Sequence, residues 1–169
     1  ALFLPKLLDT VPDRPVMLAG TAILIAGLLA ASAVGSIRTL LPLWCLLGIG
    51  YSIAQTPSGR LLRRSAHAED RPALFAAHFA LSHAAWLITY PLAGWLGATI
   101  GLSAAALCLA LLATFGLSVA MVLWPSDDNA EIEHDHDDLP VDHPHLAEGA
   151  RRGGHSHAHA VVIDRLHPE

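Results

Sequence analysis

The stretch that decides the fold is PVMLAGTAILIAGLLAASAV, residues 15–34, which contains no ionisable side chain. At about 1.5 Å of rise per residue, a helix of this length extends roughly 30 Å, the thickness of the hydrocarbon core of a bilayer. Three further blocks are equally free of Asp, Glu, Lys and Arg, and they cover about residues 39–57, 73–97 and 102–124. The sequence therefore predicts four complete transmembrane helices.

The chain outside these blocks has two different characters. Residues 1–8 are apolar but too short to cross a bilayer, and we interpret this stump as the end of a fifth span whose earlier part is missing. Residues 125–169 are acidic, rich in histidine and almost without apolar pattern, which predicts a disordered tail in water. The expected fold class is an all-α membrane protein, a helical bundle over residues 1–124, followed by that tail.

The arginines predict the orientation of the chain in the membrane. The break between the second and third blocks contains four arginines, whereas the two breaks on the opposite side share only Arg38. By the positive-inside bias the arginine-rich break is cytoplasmic, and counting the spans places the C-terminal tail on the same side. We expect a multi-pass protein embedded in the lipid bilayer of a bacterial-type inner membrane.

Small residues in the first span predict where helices pack together. Gly27, Ala31 and Gly35 follow one another at intervals of four, and Gly20 lies one heptad earlier. Small side chains at this spacing let two helix backbones approach closely, so this stripe is predicted to be an interface between spans.

Polar side chains inside the spans are the candidates for a solute pathway. His83, near the middle of the third span, is the first candidate, because an ionisable group inside a membrane is unfavourable unless it has a role. A neutral histidine that only donates a hydrogen bond across a helix interface explains the residue equally well. His78 lies nearer the cytoplasmic end, where an interfacial role is the simpler explanation.

Four further polar residues are candidates for the same pathway, and contacts between helices explain them about as well. They are Tyr51, Gln55, Ser82 and Thr89. Helical spacing puts the two histidines of the third span on different faces, with Ser82 and Thr89 on the face of His78. Several polar faces in one bundle are typical of a water-filled or substrate-lined cavity.

The segment LLDTVPDRPV, residues 7–16, resembles the signature loop of the major facilitator superfamily. That loop usually has an Asp, two further residues, a Gly and two basic residues before the next helix. Asp9 and Arg14 match its acidic and basic positions, whereas Pro12 replaces the Gly and Asp13 replaces a basic residue. The resemblance implies a secondary transporter that works by alternating access, with the four spans as helices nine to twelve. It also implies a partner, the missing N-terminal half of the same transporter, because the solute site lies between the two repeats.

The tail contains eight of the eleven histidines of the chain. Alternate histidines on an extended chain project to the same side, so two or three imidazoles with nearby carboxylates can bind one divalent ion. Imidazoles suit Ni, Co or Zn, although a solvated acidic tail with no metal role explains the composition too. The candidate metal ligands are His134, His136, His143, His145, His155, His157 and His159.

The function favoured by these observations is efflux of a small solute, either a small molecule or an ion. Histidine-rich tails occur on facilitator-type nickel-resistance permeases, and the resemblance makes a divalent metal such as nickel one hypothesis beside small organic compounds. The alternative is a membrane-anchored metal sensor or binding protein that does not transport. We expect no enzyme, since the chain has neither an HExxH nor a GxSxG motif. No required cofactor and no nucleic-acid partner are expected either.

Overall fold

The computed structural model describes residues 11–125, 131–135, 150–153 and 156–160. Four of its helices are long and apolar enough to cross a membrane, and a short helix extends the second of them. The helices are α1 (Asp13–Ala31), α2 (Ile37–Gln55), α3 (Ser58–Arg64), α4 (Arg71–Ile100) and α5 (Leu102–Leu123). The prediction of an all-α membrane bundle is confirmed, while the stump at residues 1–8 lies outside the described residues.

Local sequence explains where these helices begin and end. The Ser36 hydroxyl accepts a hydrogen bond from the backbone N–H of Thr39 at 3.4 Å, which caps the first turn of α2. Between α4 and α5, Gly101 has a φ of 85°, a conformation that L side chains rarely adopt. A helix cannot continue through this geometry, so the chain turns back at Gly101 with no longer loop.

The first two spans cross at a very close contact between their backbones. A Cβ atom on Gly20 would lie 2.5 Å from the backbone nitrogen of Ala54 and 2.8 Å from the carbonyl oxygen of Gly50. Gly27, farther along α1, is buried against the side chain of Leu47. The predicted stripe is therefore an interface at Gly20 and Gly27, whereas Gly35 lies beyond the end of α1 with open space around it.

The long helices are arranged as an arc in the order α2, α1, α5, α4. Helix α1 packs against both α2 and α5, and α5 packs in turn against α4. Few side chains are buried, and α4 has no buried residue over its 30 positions. Such helices suit a bilayer, because lipid chains solvate the apolar side chains that the bundle leaves exposed. Helices α2 and α4 form the two ends of the arc.

The described parts of the tail form a three-stranded antiparallel sheet. The strands β1 (Glu131–Asp135), β2 (Ala150–Gly153) and β3 (Ser156–Ala160) pair in the order β1–β3–β2. This differs from the disordered tail that the sequence predicted for these residues. The prediction relied on the lack of an apolar pattern, but the hydrogen bonds of an antiparallel ladder are made by backbone groups that every non-proline residue has.

Candidate functional site

A cavity of about 480 Å³ lies between α2 and α4, the two end helices of the arc, and beside the short helix α3. Its volume is within the range of about 300–1,000 Å³ that is typical of small-molecule sites. The lining residues are Tyr51, Gln55, Ser58, Phe75, His78, Phe79, Ser82 and Trp86.

Helical spacing explains why these side chains meet. On α4 the polar residues His78 and Ser82 are four positions apart, and Trp86 follows four positions later, so all three lie on one face. Tyr51 and Gln55 are likewise four positions apart near the end of α2. The cavity is formed where these two faces meet, beside the short helix α3.

Four of the six predicted pathway residues come together in this cavity. Tyr51 and Gln55 line it from α2, while His78 and Ser82 line it from α4. Thr89 does not line it, and its hydroxyl donates to the carbonyl oxygen of Ala85 at 2.9 Å. Of the polar face predicted on the third span, only His78 and Ser82 therefore line the cavity.

His83 lies next to the cavity without lining it, on a different face of α4 from His78. Its Nδ1 atom is 2.8 Å from the carbonyl oxygen of Phe79, a contact that is a hydrogen bond when Nδ1 carries the proton. The imidazole ring packs between Phe79 and Trp86, at centroid distances of 3.7 and 4.8 Å. In the described residues, His83 thus contacts two aromatic residues of the cavity wall, the hydroxyl of Ser82 at 3.5 Å and the backbone of its own helix.

Three of the four aromatic residues of the wall were not among the predicted site residues. Phe75, Phe79 and Trp86 are spaced like the polar residues of α4, three or four positions from His78 or Ser82. That spacing was a usable signal. It was missed because large apolar side chains within a span are equally expected to face lipid.

Of the two residues matched to the signature loop, the structure describes only Arg14. Asp9 lies outside the described residues. Arg14 donates from Nε to the carbonyl oxygen of Trp124 at 3.1 Å and from Nη2 to that of Met121 at 3.2 Å. These carbonyls belong to the end of α5, where the backbone has no further helical partners and carries partial negative charge. Arg14 therefore caps the last span.

Asp13, one of the two residues at which the loop departs from the family pattern, forms an ion pair with Arg60. The Nε and Nη2 atoms of Arg60 donate to Oδ1 of Asp13 at 3.0 and 2.5 Å. The Asp13 side chain is only 2% exposed, and that of Arg60 is 35% exposed. The pair joins the start of α1 to α3, the short helix beside the cavity, and sequence reasoning did not identify it.

The tail histidines are only partly described. His134, His157 and His159 lie in the strands, and the other four candidates, His136, His143, His145 and His155, lie outside the described residues. In the ladder between β1 and β3, His134 is the direct partner of His157. Among the residues that the structure describes, no group of three or more His, Cys, Asp or Glu side chains could hold a metal ion.

Comparison with known proteins gives one match. The family model described as Major Facilitator Superfamily matches residues 1–153, which is most of the 169-residue chain. Neither the curated proteins nor the solved structures include a match to this chain.

Proposed function

Because this chain belongs to the major facilitator superfamily, a family of membrane transporters and not of enzymes, we propose that it exports a small solute by alternating access. Transporters of this family generally need no cofactor. The observation that carries the proposal is the cavity between the two end helices of the arc. Its lining includes Tyr51, Gln55, His78 and Ser82. Polar side chains are rare within membrane spans and mark solute pathways when they converge on a cavity.

The orientation and the partners belong to the same proposal. The protein lies in a bacterial-type inner membrane with its C-terminus in the cytoplasm, which the arginines at positions 60–71 support. The cavity is then near the cytoplasmic ends of α2 and α4. The N-terminal half of the same transporter covers the exposed faces of these two helices. The absence of any buried residue on α4 among the described residues supports that arrangement.

Transport is tested with the full-length protein in cells that lack their own copy of its gene. Efflux is measured for Ni, Co and Zn and for a panel of small organic compounds, including a fluorescent aromatic dye. The variants Gln55→Ala and His78→Ala are expected to slow efflux of the solute that is transported. Thr89→Ala is the matched control on the same helix, because its hydroxyl bonds to its own backbone. No efflux of any tested solute by the wild-type protein contradicts transport as its function.

Nickel, or another divalent metal, is the second candidate solute, and the observation that favours it lies in the tail. Strand pairing places His134 opposite His157, and directly paired residues of an antiparallel ladder have Cα atoms only about 4.5–5.5 Å apart. Imidazole is a ligand type that suits such divalent metals. Export, as opposed to import, is supported by the resemblance of the tail to those of nickel-resistance permeases.

A stop codon after Ser126 separates the metal hypotheses. The measurements are growth, cell-associated Ni, Co and Zn, and metal binding by the purified protein, each with the intact protein and with the truncated protein. If the intact protein lowers one metal and the truncation weakens this effect, metal export assisted by the tail is supported. If the tail binds metal but no metal content changes, the alternative of a membrane-anchored metal sensor is favoured. If neither protein binds metal or changes its content, both metal hypotheses are wrong.

A further inference from the structure

The chemistry of the cavity wall indicates which class of solute it accepts. Four of its eight lining residues are aromatic, and they are Tyr51, Phe75, Phe79 and Trp86. The other four are three neutral polar residues and one histidine, and none of the eight is Asp, Glu, Lys, Arg or Cys. From this composition we infer that the cavity binds an aromatic organic solute by stacking on Phe79 and Trp86, an inference that rests on the proposed transport function.

Two other classes of solute fit this wall less well. A divalent metal ion needs several imidazole, carboxylate or thiolate ligands, and the cavity has only the imidazole of His78. A carboxylate or phosphate needs a cationic group or a set of directed N–H donors, and no Lys or Arg side chain lines the cavity. An aromatic solute needs neither, since ring stacking and burial of apolar area supply most of its binding.

The stacking surface is already arranged in the structure. Along α4, the rings of Phe79, His83, Trp86 and Tyr90 follow one another at centroid distances of 3.7, 4.8 and 6.1 Å. The rings of Phe79 and Trp86 are tilted by 31° and 49° from that of His83, and Trp86 is nearly parallel to Tyr90, at 17°. Rings held by their neighbours lose little conformational freedom when a ligand binds, which favours affinity. The role of His83 in this arrangement is to position Phe79 and Trp86.

The polar residues of the cavity wall give the cavity a preferred ligand orientation. Gln55 offers both a carbonyl acceptor and an amide donor, and Ser58 and Ser82 each offer a hydroxyl. Both hydroxyls also donate to the backbone, that of Ser58 to the carbonyl oxygen of Gln55 at 2.6 Å and that of Ser82 to the carbonyl oxygen of Phe79 at 2.9 Å. Gln55 is therefore the side chain expected to bond a polar substituent of the bound ring system.

The test is binding of ethidium, a planar aromatic probe, to the purified full-length protein in detergent, followed by its fluorescence. Trp86→Ala is expected to raise the Kd about tenfold, the effect of losing one stacking partner. Trp86→Phe, which keeps a ring, is expected to restore most of the affinity. Trp95→Ala is the matched control, because Trp95 is a 62% exposed residue of the same helix that does not line the cavity.

The outcomes separate this inference from the proposed function. A Kd that rises equally in Trp86→Ala and Trp95→Ala overturns stacking in the cavity, since the dye then reports only general apolar contact. Nickel efflux by a protein that does not bind ethidium also overturns the inference while leaving transport intact. Ethidium binding that depends on Trp86 but leads to no efflux of any solute supports the aromatic site and contradicts the transport function.

Discussion

At the scale of single residues, the ion pair of Asp13 and Arg60 joins two positions that are 47 residues apart in the sequence. Asp13→Asn removes the charge of the buried partner while keeping its shape. Breaking a fully buried pair costs about 3–5 kcal/mol, and the partial exposure of Arg60 lowers the expected loss of unfolding free energy to about 2 kcal/mol. The measurement is denaturant unfolding of the full-length protein in micelles.

Asp70→Asn is the matched control for this prediction. Asp70 is exposed and lies just before α4. Its substitution is expected to change the unfolding free energy by less than about 0.5 kcal/mol, as for most surface positions. Equal losses in the two variants would show that the ion pair does not stabilise the fold.

Arg14 makes the second prediction at this scale, because its guanidinium caps the last turn of α5. Arg14→Met keeps most of the apolar stem but removes both hydrogen bonds to the carbonyls of Met121 and Trp124. We expect the end of α5 to lose about 1 kcal/mol of local stability, seen as faster amide hydrogen exchange over residues 120–124. Arg38→Met, at an exposed arginine of α2, is expected to leave this exchange unchanged.

The sequence predicted the faces of side chains on one helix, but not the contacts between residues of different helices. Helical spacing was sufficient to separate His78 from His83, since both belong to one helix of fixed geometry. The partner of Asp13 could not be predicted in this way, because Arg60 lies in another helix and their distance depends on how α1 and α3 pack. On charge alone, any of the four arginines between the second and third apolar blocks could have been the partner of Asp13.

At the scale of helices, the crossing of α1 and α2 depends on Gly20. In Gly20→Ala, the added methyl group would lie 2.5 Å from the backbone nitrogen of Ala54, so the helices must separate. We expect the unfolding free energy to fall by about 2 kcal/mol, as for overpacked cores. Gly48→Ala is the control, since nothing lies within 4 Å of its added carbon. There the higher helix propensity of alanine is expected to leave stability unchanged or raise it by up to about 1 kcal/mol.

Unfolding in micelles measures both glycine variants side by side. Tolerance of Gly20→Ala with no loss of stability would mean that the two helices do not cross where the structure places them. The sequence identified α1 as an interface helix from its small residues, but it did not identify the position of closest approach. Gly50 lies on the α2 side of that contact, and its spacing within α2 does not by itself predict that Gly20 lies opposite it.

At the scale of the whole molecule, the order of the helices around the arc explains why the cavity was only partly predictable. Periodicity assigns each side chain to a face of its own helix, which was enough to select Tyr51, Gln55, His78 and Ser82. It does not say which helices are neighbours. That α1 packs between α2 and α5, and that α2 and α4 therefore end the arc, follows from the three-dimensional packing alone.

The same architecture predicts which positions water reaches, and from which side. In a protein with Cys45 and Cys108 replaced by alanine, Ser82→Cys places a thiol in the cavity wall, and Thr89→Cys places one on the same helix outside it. Thiosulfonate reagents react with the thiolate, which forms where water is present and is suppressed in lipid. A charged, membrane-impermeant reagent is therefore expected to modify Ser82→Cys on the order of tenfold faster than Thr89→Cys, and to do so from the cytoplasmic face. Modification only from the opposite face would reverse the proposed orientation, and equal rates at the two positions would mean that the cavity is not an aqueous route to the solute site.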